Sequence, residues 1–146
     1  TANIDECLKS AIEVFENHDN IRIIYNNPYN NDLIVFGDKQ QYIRIFNNLI
    51  KNSIQSLYNK EDGKILIEIK QEGNEYHISI EDNGCGIKEE NKEKVFSSQF
   101  TTKVEGSGLG LSIVKSIIEI IGGRINFVSE ENIGTTFNIY LPVWKQ

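Results

Sequence analysis

The sequence of 146 residues contains no methionine, only two cysteines and no apolar segment long enough to cross a bilayer. Two cysteines cannot supply the disulfide framework of a small secreted protein, so we expect a reduced, cytoplasmic setting. A transmembrane helix needs about 18 or more apolar residues, and we therefore expect no direct membrane contact in this segment. We expect residues 1–146 to form one domain. Because the chain begins at Thr1 and contains no methionine, we expect this domain to be excised from a longer protein.

The chain also lacks an excess of positive charge. Its formal net charge is −6, and its 15 lysine and arginine residues are scattered along the sequence. Binding to nucleic acid needs a basic patch or stripe, so nucleic acid is not an expected partner. With 39% apolar residues, the chain is long enough for one domain with a substantial core.

Two glycine-rich segments are the most informative features that are present. The first, Asp82–Ile87, places an acid ahead of two spaced glycines, and the second, Gly106–Leu111, leads into a predicted helix over Leu109–Ile121. Glycine tolerates positive φ and allows backbone to approach a ligand closely. The first turn of a helix presents free N–H groups to an anion. Together the two segments predict a nucleotide pocket in which the acid reads a base edge and the helix faces phosphates.

The spacing of these glycines excludes the commonest nucleotide motifs. A dinucleotide fingerprint needs G-x-G-x-x-G, and Leu111 stands where the third glycine belongs. The P-loop pattern is absent, as are the His-Arg-Asp and Asp-Phe-Gly elements of eukaryotic-type protein kinases. Taken singly, each glycine cluster is also compatible with a tight turn or a helix cap.

An asparagine-bearing helix is predicted over Gln40–Leu57, where apolar residues recur at helical spacing behind an N-cap position at Asp38. A polar stripe lies on another face of this helix, since its residues recur at intervals of four, four and three. The stripe consists of Arg44, Asn48, Asn52 and Gln55. Asparagine is a poor helix former, and its carboxamide oxygen is a hard ligand suited to Mg²⁺. A solvated polar face is the alternative, because asparagine is frequent throughout the chain.

The remaining pattern predicts grouped strands and three helices. A short strand at Ile4 precedes a helix over Glu6–Asn17. Further strands are predicted at Ile21–Tyr25, Leu33–Phe36, Lys64–Gln71, Glu75–Glu81, Arg124–Ser129 and Thr136–Leu141. Strands and helices do not alternate as in a doubly wound sheet. We therefore expect an α+β fold: a two-layer α/β sandwich with a mixed sheet of about five strands and about three helices on one face.

Five motifs follow one another along the chain: Asn48–Ser53, Asp82–Gly86, Val95–Lys103, Gly106–Leu111 and Gly134–Phe137. This arrangement resembles the ATP-binding catalytic domain of bacterial sensor histidine kinases, whose superfamily includes DNA gyrase, mismatch-repair ATPases and a heat-shock chaperone. The resemblance runs from about Asn3 to Pro142. It implies the Bergerat-type ATP-binding fold, with ATP and Mg²⁺ as cofactors.

The resemblance implies a phosphate end of the site. Asn52 would coordinate Mg²⁺, Asn48 would lie one turn earlier, and Gln55 would reach the phosphates or their waters. The stretch from about Lys88 to Ser107 would form a mobile lid over ATP, in which Lys103 touches a phosphate. Asn48, Asn52 and Lys103 would thus be the catalytic residues.

The resemblance also implies an adenine end. Asp82 would accept a hydrogen bond from the adenine amino group, and Thr135 would lie beside it. The remaining nucleotide contacts would come from Gly84, Gly86, Ile87, Gly106, Gly108, Leu109, Gly110 and Leu111. Two departures from the family pattern are visible: Ser98 and Gln99 replace a proline and an aromatic residue of the lid, and Gln55 replaces a frequent lysine.

The implied reaction is transfer of the γ-phosphate to a histidine in two-component signalling. ATPases of the superfamily carry a glutamate at the position of Asn48, so the chain is more similar to the kinase branch. His18 and His77 lack the sequence context of an acceptor histidine. The acceptor should therefore lie on a dimerising helical domain that precedes Thr1. A response regulator receiver domain would be a further partner. The open alternatives are an ATP-hydrolysing conformational ATPase, an anti-sigma-type serine kinase, and a pseudokinase that binds ATP as a docking module.

Overall fold

The computed structural model describes residues 1–16, 20–97 and 110–145. Within these ranges, no helix combines the length and the apolar character needed to span a membrane. The elements, in chain order, are β1 Ala2–Asn3, α1 Ile4–Glu13, β2 Ile21–Asn26, β3 Ile34–Val35, α2 Lys39–Ser56, β4 Gly63–Glu72, β5 Glu75–Asp82, a 3-10 helix Glu89–Lys94, α3 Leu111–Ile120, β6 Arg124–Glu130 and β7 Gly134–Pro142.

Five strands form a mixed sheet in the order β2-β4-β5-β7-β6. The pair β2 and β4 is parallel, and the other three pairs are antiparallel. A separate two-stranded antiparallel pair joins β1 to β3. The mixed five-stranded sheet and the α+β class confirm the fold predicted from the sequence.

One face of the sheet is buried because its strands alternate between apolar and polar residues. In β4 the buried row includes Ile65, Ile67 and Ile69, and in β5 it includes Ile78 and Ile80. Helix α2 packs against β5, α3 packs against β6, and α1 packs against α2. The apolar residues of the helices join the inward row of the sheet in one core.

The first helix begins earlier than the sequence pattern indicated. We predicted a strand at Ile4 and a helix from Glu6, but α1 starts at Ile4 and β1 ends at Asn3. The reason is an N-cap: the side chain of Asn3 accepts a hydrogen bond from the backbone N–H of Asp5 at 3.0 Å. The helix ends at Glu13 rather than at Asn17, which lies outside the described residues.

Part of the segment predicted as a mobile lid has regular structure. Glu89–Lys94 forms the 3-10 helix, and Val95 after it is buried. The ring of Phe96 then packs against Phe127 and Phe137 on the inner face of the sheet, with ring centroids 5.8 and 6.4 Å apart. The beginning of this segment is therefore anchored to β6 and β7. Residues 98–107 of the predicted lid lie outside the described part of the chain.

Candidate functional site

Asp82 is the last residue of β5 and faces the core. It continues the inward row of Ile78 and Ile80, lies opposite Thr135 of β7, and is only 5% exposed. Burial raises the pKa of the Asp82 carboxyl, because the charged form loses its hydration. A hydrogen bond from the backbone N–H of Gly84 acts in the opposite direction. The result is a buried carboxylate with acceptor capacity at the end of a strand.

The turn after Asp82 lies directly on α2. The backbone N–H of Gly84 donates to the Asp82 carboxylate at 2.9 Å, and that of Cys85 donates to the carbonyl of Ser56 at 3.0 Å. A Cβ at Gly84 would come within 2.3 Å of the Ser56 Oγ atom. The absence of a side chain at Gly84 is thus required by the protein's own helix.

Gly86 is constrained by the β6–β7 turn in the same way. Its φ is +70°, and a Cβ there would lie 2.2 Å from the carbonyl oxygen of Glu130. Close approach of the nucleotide to Gly84 and Gly86 stays a prediction. What the structure adds is that both glycines let the turn fit between α2 and the sheet.

Ser129 lies in the candidate site and was missed by sequence reasoning. Its Oγ accepts a hydrogen bond from the backbone N–H of Ile87 at 2.8 Å and lies 2.8 Å from the Oγ1 atom of Thr135. It also donates to the carbonyl of Gly134 at 3.1 Å. Ser129 therefore ties the turn after Asp82 to β7. The sequence signal that could have identified Ser129 is its place in β6: it is a polar residue at a core-facing position that follows Ile125 and Phe127.

Helix α2 carries three carboxamide residues whose side-chain oxygens are buried. Asn48 is buried, Gln55 and Asn52 are partly buried, and Arg44 is exposed. Among the described residues, four polar atoms of this helix are buried without a hydrogen-bond partner: Asn47 Oδ1, Asn48 Oδ1, Ser53 Oγ and Gln55 Oε1. Buried unpartnered acceptors are costly, so this part of α2 is a candidate place for a ligand or an ion. Sequence reasoning singled out Asn48 and Gln55 but missed Asn47 and Ser53.

The phosphate end is only partly within the described residues. Helix α3 begins at Leu111 rather than at Leu109, with Gly110 at its N-cap, exposed and in extended conformation. The Gly110 carbonyl accepts hydrogen bonds from the amides of Ile113 and Val114. The predicted contacts of Lys103, Gly106, Gly108 and Leu109 lie outside the described residues. The role of this helix terminus toward an anion stays a prediction.

A concavity of about 770 Å³ lies at the same end of the sheet but opens on the other face. Its wall includes Leu66, Glu81, Thr136 and Val128, which form one cross-strand row pointing away from the helices. Asp82, Ser129 and Thr135 also line this concavity, so it borders the residues of the predicted adenine end.

The two cysteines give a direct test of this part of the structure. Cys7 is buried in α1, and burial raises the pKa of its thiol to about 11, whereas Cys85 is exposed in the turn after Asp82. We expect iodoacetamide at about pH 8 to modify Cys85 rapidly and Cys7 hardly at all, because only an accessible thiolate reacts. Mass spectrometry of proteolytic peptides measures both sites. In urea both should be labelled, and equal labelling in the native chain would contradict this packing.

Comparisons with known proteins agree with the geometry. Residues 37–145 match the family model described as histidine kinase-, DNA gyrase B-, and HSP90-like ATPase. The chain is 37% identical over 107 residues to the sensor histidine kinase ZraS of Escherichia coli (strain K12). This match covers 73% of the chain and 23% of ZraS, so the chain spans about a quarter of the length of that relative.

Two solved structures are similar over nearly the whole chain. The nucleotide-free catalytic domain of the histidine kinase ThkA is 34% identical, with a TM-score of 0.79 and coverage of 97% of this chain and 93% of that domain. A structure of ThkA in complex with the response regulator protein TrrA is 32% identical, with a TM-score of 0.74. It covers 98% of this chain and 41% of the ThkA chain.

Proposed function

The chain belongs to the family of histidine kinase-, DNA gyrase B-, and HSP90-like ATPases, and within it to the histidine kinase catalytic domains of two-component systems; we propose that it binds ATP with Mg²⁺ and donates the γ-phosphate to a histidine on a separate dimerisation domain. The observation that carries the proposal is the buried Asp82 carboxylate at the end of β5. A buried acid is costly unless hydrogen-bond donors reach it, and a ligand amino group is such a donor.

At the adenine end, Asp82 accepts a hydrogen bond from the exocyclic amino group. Thr135 lies opposite Asp82 in the sheet, and its hydroxyl is held by Ser129 at 2.8 Å. The turn containing Gly84, Gly86 and Ile87 forms the adjoining wall, since it is bound to α2 on one side and to Ser129 on the other. These hydrogen bonds fix the wall to two separate elements, α2 and β6.

At the phosphate end, the residues fit a Mg²⁺ ion bound jointly with the triphosphate. Among the described residues, no cluster of His, Cys, Asp and Glu side chains could hold a metal ion. The carboxamides of α2 supply neutral oxygen ligands, and we assign Asn52 to the ion, with Asn48 and Gln55 toward the phosphates and their waters. Mg²⁺ keeps most of its waters and takes few protein ligands beside phosphates. When bound, it neutralises charge on the triphosphate.

The lid and the start of α3 complete this end in the proposal. Lys103 contacts a phosphate, and the backbone at Gly106, Gly108, Leu109, Gly110 and Leu111 follows the triphosphate. Free N–H groups at the N-terminus of α3 suit an anion. Only Gly110 and Leu111 of this group lie within the described residues.

Asn48 favours transfer to a protein acceptor over hydrolysis. Hydrolysis needs a group that takes a proton from water, and a carboxamide has no useful proton affinity near neutral pH. Asn48 is buried on α2, and its side-chain oxygen is unpartnered among the described residues. A conformational ATPase is therefore the weaker candidate, although it belongs to the same family.

The acceptor is proposed to lie outside this chain. His77 is on β5, where its ring stacks on Tyr140 with centroids 4.5 Å apart and its nitrogens contact Glu72 and Asn138. A ring engaged on both nitrogens is poorly placed for in-line attack on a phosphate. His18 lies outside the described residues. Partners are a dimerising histidine domain in the cytoplasm and a response regulator, in line with the ThkA complex with TrrA.

A phosphotransfer assay tests the proposal. With γ-labelled ATP and Mg²⁺, the chain alone should show neither appreciable self-labelling nor rapid phosphate release. Addition of the parent protein's helical histidine domain should give acid-labile label on that domain, because catalysis then needs only an acceptor nitrogen in line with the γ-phosphate. The control is the same domain with its histidine replaced by glutamine. Strong labelling of His18 or His77 would contradict the proposal, and rapid phosphate release without acceptor would favour the hydrolytic branch.

A further inference from the structure

The inner face of the sheet ends in a row of three polar residues, one on each of three neighbouring strands. Asp82 on β5 lies opposite Thr135 on β7, and Thr135 lies opposite Ser129 on β6. All three residues are buried. Side chains directly opposite each other in an antiparallel pair have Cβ atoms about 4.5–5.5 Å apart and therefore interact. The row forms a buried polar border between the apolar core and the proposed adenine end.

The hydroxyl of Ser129 has three hydrogen-bonding neighbours. The backbone N–H of Ile87 donates to its oxygen at 2.8 Å, and the carbonyl of Gly134 accepts from it at 3.1 Å. The Oγ1 atom of Thr135 lies 2.8 Å away, and in this contact either hydroxyl could be the donor. A serine hydroxyl has one hydrogen and two lone pairs. Its hydrogen therefore serves either the Gly134 carbonyl or the Thr135 hydroxyl.

The full set of hydrogen bonds decides between these two arrangements. If Ser129 donates to Gly134, the Thr135 hydroxyl donates to Ser129, and the hydrogens of both hydroxyls are used. If Ser129 donates to Thr135, the hydrogen of the Thr135 hydroxyl is left without a recorded acceptor among the described residues. A buried donor without an acceptor is costly, so the first arrangement is favoured. In this arrangement Thr135 donates to Ser129 and to nothing else.

This arrangement leaves only acceptors at the adenine end of the row. A hydroxyl whose hydrogen is already used offers only lone pairs to a ligand. The carboxylate of Asp82 is likewise an acceptor, and it already receives the N–H of Gly84 at 2.9 Å. A base that binds there must therefore bring hydrogens, as the amino group of adenine does. A base with a carbonyl oxygen at the same place would meet lone pairs from both residues.

Resting on the proposed function, we infer that Ser129 is a positioning residue: it fixes the hydroxyl of Thr135 as an acceptor beside Asp82 and thereby sets the preference for a 6-amino purine over a 6-oxo purine. The hydroxyl of Ser129 is fully used by Ile87, Gly134 and Thr135, so Ser129 acts on the base only through Thr135.

The test measures the preference for ATP over inosine triphosphate, whose base carries a carbonyl oxygen in place of the amino group. Calorimetry with Mg²⁺ is done on the unmodified chain, Ser129→Ala, Thr135→Val and the double variant. Valine has nearly the shape of threonine but no hydroxyl. Ser79→Ala is the matched control, because Ser79 lies on β5 between the buried residues Ile78 and Ile80 and so points to the opposite face of the sheet.

We expect Ser129→Ala to lower the preference for ATP by about fivefold, the size of one ordinary hydrogen bond. The freed Thr135 hydroxyl can then turn its hydrogen toward the carbonyl oxygen of inosine. Loss of the bond to Ile87 loosens the turn, but this structural effect weakens both nucleotides equally and leaves their ratio unchanged. Ser79→Ala should leave both affinities unchanged.

The double variant tests whether Ser129 acts through Thr135. When Thr135 is already valine, the additional Ser129→Ala change should leave the preference unaltered, because no hydroxyl remains to be reoriented. Thr135→Val alone tests the polarity of the hydroxyl. Removal of an acceptor lowers the preference for ATP, whereas removal of a donor would raise it. The direction of this change keeps the test decisive if Ser129→Ala does not fold.

Each contrary outcome is distinct. An unchanged preference in Ser129→Ala, the same loss of preference with and without the Thr135 hydroxyl, or a raised preference in Thr135→Val would overturn this inference and leave the proposed function intact. Equal affinity of the unmodified chain for the two nucleotides would overturn the inference as well. Failure of the unmodified chain to bind ATP would overturn the proposed function first.

Discussion

Replacement of Asp82 by alanine is expected to lower the affinity of the chain for ATP by about tenfold to more than a hundredfold. The lost hydrogen bond has a charged acceptor, and such bonds contribute about 1.5–3 kcal/mol, or roughly one to two powers of ten in affinity. Calorimetry with ATP and Mg²⁺ measures the change. Glu81→Ala is the matched control, because Glu81 is the preceding carboxylate on β5 but is exposed on the opposite face of the sheet. Unchanged affinity in Asp82→Ala would remove the adenine assignment.

The same carboxylate predicts how ATP binding depends on pH. Burial raises the pKa of Asp82 above its ordinary value of about 4. As the pH falls through this raised pKa, the protonated acid becomes a weaker acceptor, so ATP affinity should fall. The stability of the ligand-free chain should change in the opposite direction. A carboxyl whose pKa is raised on folding destabilises the folded state when charged, so its protonation adds stability. Asp82→Asn should remove both effects.

Replacement of Asn52 by alanine is expected to lower phosphotransfer by about a hundredfold or more while changing adenosine binding little. Removal of one preorganised electrostatic contact at a reacting group has effects of this size. Adenosine has no phosphates for Mg²⁺ to bridge, so its affinity reports only the adenine end of the site. The measurements are transfer of γ-label to the histidine domain and calorimetry with adenosine.

The control for Asn52 is Asn126→Ala, which removes an exposed asparagine of β6 whose side-chain oxygen accepts only from Asn138 in the described structure. This variant should transfer phosphate as the unmodified chain does. Equal losses of ATP and adenosine binding in Asn52→Ala would mean that Asn52 supports the fold and would contradict its assignment to Mg²⁺.

The main elements were predictable because their apolar residues recur at the period of a strand or of a helix. The strands β4 and β5 follow period two around a short turn, and α2 carries apolar residues at helical spacing. Asp82 was recognisable as a candidate site residue because its position in the glycine turn resembles a known motif. The start of α1 was not predictable from periodicity, since one side chain, Asn3, decides it through an N-cap.

The residues missed by sequence reasoning share a physical cause. Ser53 and Ser129 are small polar residues at core-facing positions, and a single hydroxyl in an apolar row does not disturb the period. Their importance depends on partners distant in the chain: Ser129 binds Ile87, 42 residues earlier. Such contacts follow from the order of strands in the sheet, which local patterns do not specify. Gly84 and Gly86 were recognised, but the elements that crowd them were not.

The position of β7 has a consequence for the order in which the site is assembled. The last strand of the chain lies between β5 and β6, and its first residues, Gly134 and Thr135, pair with Glu130 and Asp82. A Cβ at Gly134 would lie 2.1 Å from the Asp82 carbonyl, so the two strand ends meet without a gap. During synthesis, a nascent chain that has emerged only as far as α3 possesses Asp82 but not the strand that encloses it. The proposed adenine pocket is therefore complete only after nearly all of the domain has left the ribosome, and we expect a product that ends before β7 to lack the strand beside Asp82.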